Sequence, residues 1–212
     1  MLMQLRKLYP NIELHGINKR PWPAMKGQES LKRTATLYKI FTKQELKKVN
    51  LPRIHFYKAR KLNFRSNYFD LIYSQVAMHY IDRKDILIED IWRVLRKGGK
   101  ALLHFDTVDK TYADFLQFET PRFIMRKKGK IYPIKELVRD IRKKGYDISI
   151  KKSSAKKEGI MKHSTYLIIS KNKNTPLKLN LRFDPVSSFE LSILNKDDKD
   201  CTFWGYRSVY NA

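Results

Sequence analysis

Between Phe69 and Asp106 the chain reads FDLIYSQVAMHYIDRKDILIEDIWRVLRKGGKALLHFD, and few architectures accept that order of patterns. Leu71, Ile72 and Tyr73 make a continuous apolar run inside Tyr68 to Gln75, as expected of a parallel strand covered on both faces. Asp82 stands at the N-cap of a predicted helix from about Arg83 to Lys97, with Asp85 near its positive end. On that helix Leu87, Ile88, Ile91, Trp92, Val94 and Leu95 share one face. Gly98-Gly99 offers a positive-φ stop, and Lys100 to Phe105 follows as a second buried strand. Strand, helix and strand in this order make a right-handed crossover, hence a parallel pair and an α/β fold.

The flanking segments extend the same alternation. Residues 1–9 read as the last turns of a helix, broken at Tyr9-Pro10-Asn11, and Ile12 to Ile17 reads as a short buried strand. Pro21 and Pro23 bracket Trp22 in a loop. Helical stretches follow at Ser30–Lys39 and Lys43–Val49, then a strand at Arg53 to Lys58. Further on, Ile134, Leu137, Val138 and Ile141 repeat at helical spacing, and Gly145 ends that helix. Tyr146 to Ile150 and Thr165 to Ser170 read as strands joined by a Lys-rich loop. In residues 175–212, Leu177, Leu179, Leu181 and Phe183 alternate with polar residues like a half-exposed strand, which suggests a small β-rich extension.

With 212 residues, 42% of them apolar, the chain can bury a sizeable core. No window carries the ~18 uninterrupted apolar residues of a membrane span, and no secretory signal is recognisable at the start. A lone cysteine, Cys201, fits a reducing compartment, and a cytoplasmic location is expected. The five histidines show no metal-ligand spacing. The net charge of +24 is unevenly placed: residues 1–60 hold 14 Lys/Arg against 3 Asp/Glu and residues 121–174 hold 17 against 4, whereas residues 61–120 balance at 9 each. Such a field attracts polyanions non-specifically. Lys outnumbers Arg 30 to 15, which disfavours base-edge and bidentate phosphate recognition.

The segments His15-Gly16-Ile17-Asn18, Lys58-Ala59-Arg60-Lys61-Leu62-Asn63-Phe64 through Phe69-Asp70-Leu71-Ile72, and Arg93-Val94-Leu95-Arg96-Lys97-Gly98-Gly99 together resemble class I S-adenosylmethionine-dependent methyltransferases of the type 11 group. The resemblance covers about residues 1–174 and sets 175–212 apart as a C-terminal extension. It implies a Rossmann-like sheet with helices on both faces, S-adenosylmethionine as cofactor, and methyl transfer to an unidentified acceptor. Asn18 matches the acidic residue that bonds the cofactor ribose, and its amide oxygen still accepts. Lys58 stands where the family has an aspartate facing the adenine amino group, with Ala59 beside it, and an ammonium can only donate. Ser74, Gln75 and Val76 match the segment lying along the cofactor. The eight glycines contain no GxG, so the first strand and its glycine loop are lacking from the resemblance. That implies a truncated reading frame, a missing partner segment or a degenerate member, with unpaired strand edges open to self-association.

His79, just past the fourth family strand, reads as a general base or substrate contact, or else as a packed loop histidine. Asp106 reads as facing a ligand crevice or as a turn former, and Asp70 as structural. The aromatics of residues 107–133 suit a lid or core packing. An alternative to catalysis is an inactive basic module that binds nucleic acid or acidic partners.

Overall fold

The computed structural model describes residues 2–21, 26–74, 84–105, 123–127, 130–131, 134–157, 160–180 and 182–185. The chain is α/β and separates into two compact units, Met1–Ala59 and Arg60–Ala212.

In the first unit, α1 (Leu2–Leu8) precedes β1 (His15–Asn18), followed by α2 (Gln28–Leu37), α3 (Lys43–Leu46) and β2 (Arg53–Phe56). β1 and β2 pair in parallel, His15 opposite Arg53 and Asn18 opposite Phe56. Gly16 sits in close approach, since a Cβ would lie 2.7 Å from Leu2 Cδ1 and 2.9 Å from Ile54 Cδ1, both ends of flexible side chains. On that side Met3, Leu31, Ala35, Phe41, Leu46 and Leu51 form the core. Thr42 starts α3 with a capping box: its hydroxyl accepts from Glu45 N at 3.2 Å, and its own N–H donates to Glu45 Oε2 at 2.6 Å. Those bonds hold the Glu45 carboxyl below its ordinary pKa.

In the second unit, β3 (Phe69–Ser74), α4 (Lys84–Val94) and β4 (Leu95–Phe105) form the crossover expected from the sequence, with β3 and β4 parallel. After β5 (Phe123–Lys127) and β6 (Lys130–Ile131), α5 (Ile134–Lys143) leads into a long hairpin of β7 (Asp147–Lys157) and β8 (Ile160–Ser170), and β9 (Arg182–Pro185) follows. The main sheet runs β3-β4-β8-β7, and β6-β5-β9 forms a separate antiparallel sheet. One face of the main sheet, carrying Ala101, Leu103, Ile148, Leu167 and Ile169, is fully buried with Leu87, Ile88, Ile91 and Trp92 of α4 and Leu137, Val138 and Ile141 of α5.

Four expectations change. β3 is not covered on both faces: Leu71 and Tyr73 are 61% and 39% exposed, since alternation turns them away from the buried face at the sheet edge. The helix ends at Val94 rather than Lys97, and the chain enters β4 at once. The register slips from Phe69 opposite Leu95 to Leu71 opposite Lys100, a bulge that contains Gly98 at φ 83°. The Lys-rich stretch expected as a loop between two short strands is mostly ladder, paired from Asp147 with Ser170 out to Lys157 with Ile160, because backbone pairing does not need apolar side chains. Finally, residues 171–180 run outside any ladder although Leu177 and Leu179 are buried. They pack as a strap held by Trp92 Nε1–H to Thr175 O at 2.9 Å and Tyr146 O–H to Pro176 O at 2.7 Å.

Candidate functional site

In parallel sheets the carboxyl ends of strands form the ligand crevice, since loops leave there beside helix N-termini. Within the first unit, Asn18 ends β1 and Lys58-Ala59 follow β2, so the structure brings these three expected residues to one sheet edge. The link is direct: Tyr57 N donates to Asn18 O at 3.0 Å, one residue before Lys58. Asn18 and Ala59 are half-buried, while Lys58 is exposed. Ser74 is the last residue of β3 in the second unit, half-buried and paired with Leu103. Gln75, Val76, His79 and Asp106 lie outside the described residues, as does most of the aromatic segment 107–133.

The face of β1-β2 opposite Gly16 and Ile54 carries a polar cluster that sequence reasoning missed. His15 Nδ1 and His55 Nε2 lie 2.9 Å apart, and their rings stack at 5.2 Å with 17° between planes. Glu13 Oε1 is 3.1 Å from His15 Nε2 and 3.3 Å from an Arg53 guanidinium nitrogen. Tyr57 meets the His55 ring edge-on at 6.4 Å. Burial, the neighbouring His15 and the Arg53 charge push the His55 pKa below its ordinary value, which favours a neutral imidazole. A signal did exist: His15 and Ile17 share strand parity, as do Arg53, His55 and Tyr57. The parallel register that joins the sets cannot be read from either strand alone.

In the second unit the residues of RVLRKGG hold the backbone that carries Ser74. Arg93 bonds Asp90 Oδ1 at 2.6 Å, Phe64 O at 2.7 Å and Leu62 O at 2.8 Å, and Asp90 also accepts from Leu62 N. These bonds clamp the loop entering β3. Gly99 admits no side chain, since a Cβ would lie 2.9 Å from both Arg96 O and Phe69 O. Lys171 Nζ, buried, reaches Asn67 Oδ1 and Leu95 O at 2.7 Å and Arg93 O at 3.3 Å, tying the end of α4 to the end of β8. Its pKa is lowered by burial first and by the Arg93 charge second. Near the carboxyl end of β3, burial and then Tyr166 raise the Tyr73 pKa.

Residues 34–103 match a family profile described as methyltransferase domain, a span that runs from the last turn of α2 into β4. Among solved structures, a SAM-dependent methyltransferase from Methanosarcina mazei is similar at 16% identity over 75% of this chain and 82% of that one, with TM-score 0.46. A 1,6-didemethyltoxoflavin N1-methyltransferase from Burkholderia thailandensis, solved with 1,6-didemethyltoxoflavin and S-adenosylhomocysteine, is similar at 12% identity. That alignment covers 78% of this chain and 64% of that one, with TM-score 0.47. No curated protein matches the sequence.

Proposed function

We propose that the chain, whose residues 34–103 match the methyltransferase domain family, is an S-adenosylmethionine-dependent methyltransferase acting on an acceptor still to be identified. The family match carries this reading. Asn18 and Ala59 at the carboxyl edge of β1-β2, and Ser74 at the end of β3, support it by position. Each unit by itself offers neutral hydrogen bonding of the kind the cofactor takes: in the first the Asn18 amide has an acceptor and donors suited to ribose hydroxyls, and in the second Ser74 has a hydroxyl. Lys58 does not suit the adenine amino group, but its exposure leaves the ammonium free to turn to solvent.

Bound S-adenosylmethionine supplies an already activated methyl group, so the chain's own task is to align the acceptor and exclude water. Gln75 and Val76 belong to the segment proposed to lie along the cofactor, with His79 as the candidate base or acceptor contact. The proposal also includes a methyltransferase-like domain over 1–174, a β-rich extension over 175–212, and a cytoplasmic location. Among the described residues no helix is long and apolar enough to cross a membrane. Self-association through β3, with Leu71 and Tyr73 exposed, belongs to the same reading. A monodisperse monomer by light scattering would remove it.

Calorimetric titration of the full chain with S-adenosylhomocysteine tests the central claim. We expect micromolar binding, weakened roughly tenfold by Asn18→Ala, the worth of about one hydrogen bond to a polar ligand. Lys58→Asp should tighten it by a similar factor. A folded chain that shows no binding, with Lys58→Asp equally silent, rejects the methyltransferase reading. The second reading, an inactive basic module, is favoured by Lys58 standing where an acceptor is needed. It predicts polyanion affinity that falls steeply with salt and no methyl transfer.

A further inference from the structure

The amino-terminal edge of β1-β2, opposite the carboxyl ends that carry Asn18 and Ala59, holds a cavity of about 700 Å³. The last turn of α1 lines it with Arg6 and Lys7, the turn before β1 with Pro10 and Glu13, and the approach to β2 with Lys48 and Arg53. Arg6 is the unusual member. It is only 4% exposed, donates from one terminal nitrogen to Pro10 O at 2.5 Å, and has no partner at Nε. A guanidinium carries five N–H donors, and burying that charge without acceptors is costly. Placement in the last turn of a helix suits a cation, but it explains neither the burial nor the unfilled donor.

The other charges leave an anion favoured. Lys7 Nζ bonds Ile40 O at 2.5 Å and lies 5.3 Å from the centre of the Phe41 ring. Glu13 is engaged by His15 and Arg53, while Glu45, close enough to feel Lys7, is taken up in the Thr42 capping box. Lys48 and Arg53 are exposed at the rim. Four cationic side chains thus line a cavity whose one lining carboxylate is already paired. Planar guanidinium donors match the oxygens of phosphate, and Arg6 needs little ordering because packing already holds it.

We infer that this cavity binds a phosphate group, free or carried by a larger ligand, with Arg6 as the buried anchor and Lys48 and Arg53 closing over it. The site is independent of any cofactor at the other edge of the strands.

The test titrates the full chain with inorganic phosphate, pyrophosphate and adenosine monophosphate at constant ionic strength, following thermal unfolding and calorimetric heat. A saturable rise in melting temperature is expected with at least one of the three, and chloride at equal ionic strength should not reproduce it. Preference for free phosphate or pyrophosphate marks a free anion, and preference for adenosine monophosphate marks the phosphate of a larger ligand. Arg6→Met keeps the packed length and removes the donors. It should weaken the anion at least tenfold while matching or exceeding the parent's melting temperature without anion. Should that variant fail to fold, Lys48→Gln with Arg53→Gln is expected to weaken binding severalfold. The inference is overturned by no saturable effect on the parent, by competition with S-adenosylhomocysteine, or by full affinity in folded Arg6→Met. Full affinity in the rim double variant, where Arg6→Met does not fold, also overturns it.

Discussion

The two units solve the same problem, parallel strands backed by helices, with different materials. In Met1–Ala59 the sheet is two short strands, and its helix side is secured by the ends of apolar side chains. In Arg60–Ala212 the crossover is locked by polar side chains that reach the backbone across 28 to 83 residues of sequence: Asp90 and Arg93 to the loop before β3, Lys171 to the junction of α4 and β4, Trp92 and Tyr146 to the strap. Apolar ends can shift by a few tenths of an ångström at little cost, whereas a buried carbonyl that loses its donor cannot be compensated. The first unit should therefore tolerate local change that the second does not. The histidine cluster and the cationic cavity lie in the more tolerant unit.

The largest test of that contrast is Arg93→Ala. It leaves two carbonyls without this donor and Asp90 with only the Leu62 N–H, and we expect a loss of about 2–3 kcal/mol, below a fully buried pair because the arginine is a third exposed. Urea unfolding followed by amide hydrogen exchange should place the loss in β3, α4 and β4 and leave β1 and β2 protected as before. Equal loss in both units would break the comparison. Lys171→Met comes next at about 2 kcal/mol, since three acceptors lose one donor while a costly buried charge is also removed. The lysine's pKa is lowered, so between that value and its ordinary one the unfolded chain binds more protons and stability rises with pH. The methionine variant should lose that alkaline rise.

Two glycines sharpen the contrast further. An added Cβ at Gly99 meets backbone oxygens, and Gly99→Ala should cost about 2 kcal/mol. At Gly16 it meets only the tips of Leu2 and Ile54, and Gly16→Ala should cost about 1 kcal/mol or less. Thermal unfolding of the pair reads the difference, and a reversed order would show that the first unit is the less forgiving. The smallest effect concerns pH. His55 has a lowered pKa, so as pH falls through the ordinary value of 6.5 the unfolded chain takes up the proton first and the first unit loses stability. His15, Glu13, Arg53 and Tyr57 face it from both strands. His55→Gln should flatten that acid slope in the hydrogen-exchange protection of β1 and β2 while leaving the slope of β3 and β4 unchanged.

Local pattern made the crossover legible. The spacing of Leu87, Ile88, Ile91 and Trp92, followed by Gly98-Gly99 and an apolar strand, specifies α4 and β4 without reference to distant residues, and the family profile over residues 34–103 takes in β3, α4 and most of β4. Helix periodicity and positive-φ glycines are properties of neighbours in the chain, so sequence alone carries them. The edge position of Asn18 and Lys58-Ala59 was legible for the same reason, each following a short strand. Four things were decided only in three dimensions. One is the exposure of Leu71 and Tyr73, set by which face of the sheet is covered. Another is the strap of Leu177 and Leu179, whose alternation imitates a strand while its backbone bonds go to Trp92 and Tyr146. The remaining two are the stacked His15 and His55 and the buried Arg6 beside its cavity. Each depends on register or on burial between segments far apart in sequence, and those are set by packing, which no local spacing encodes.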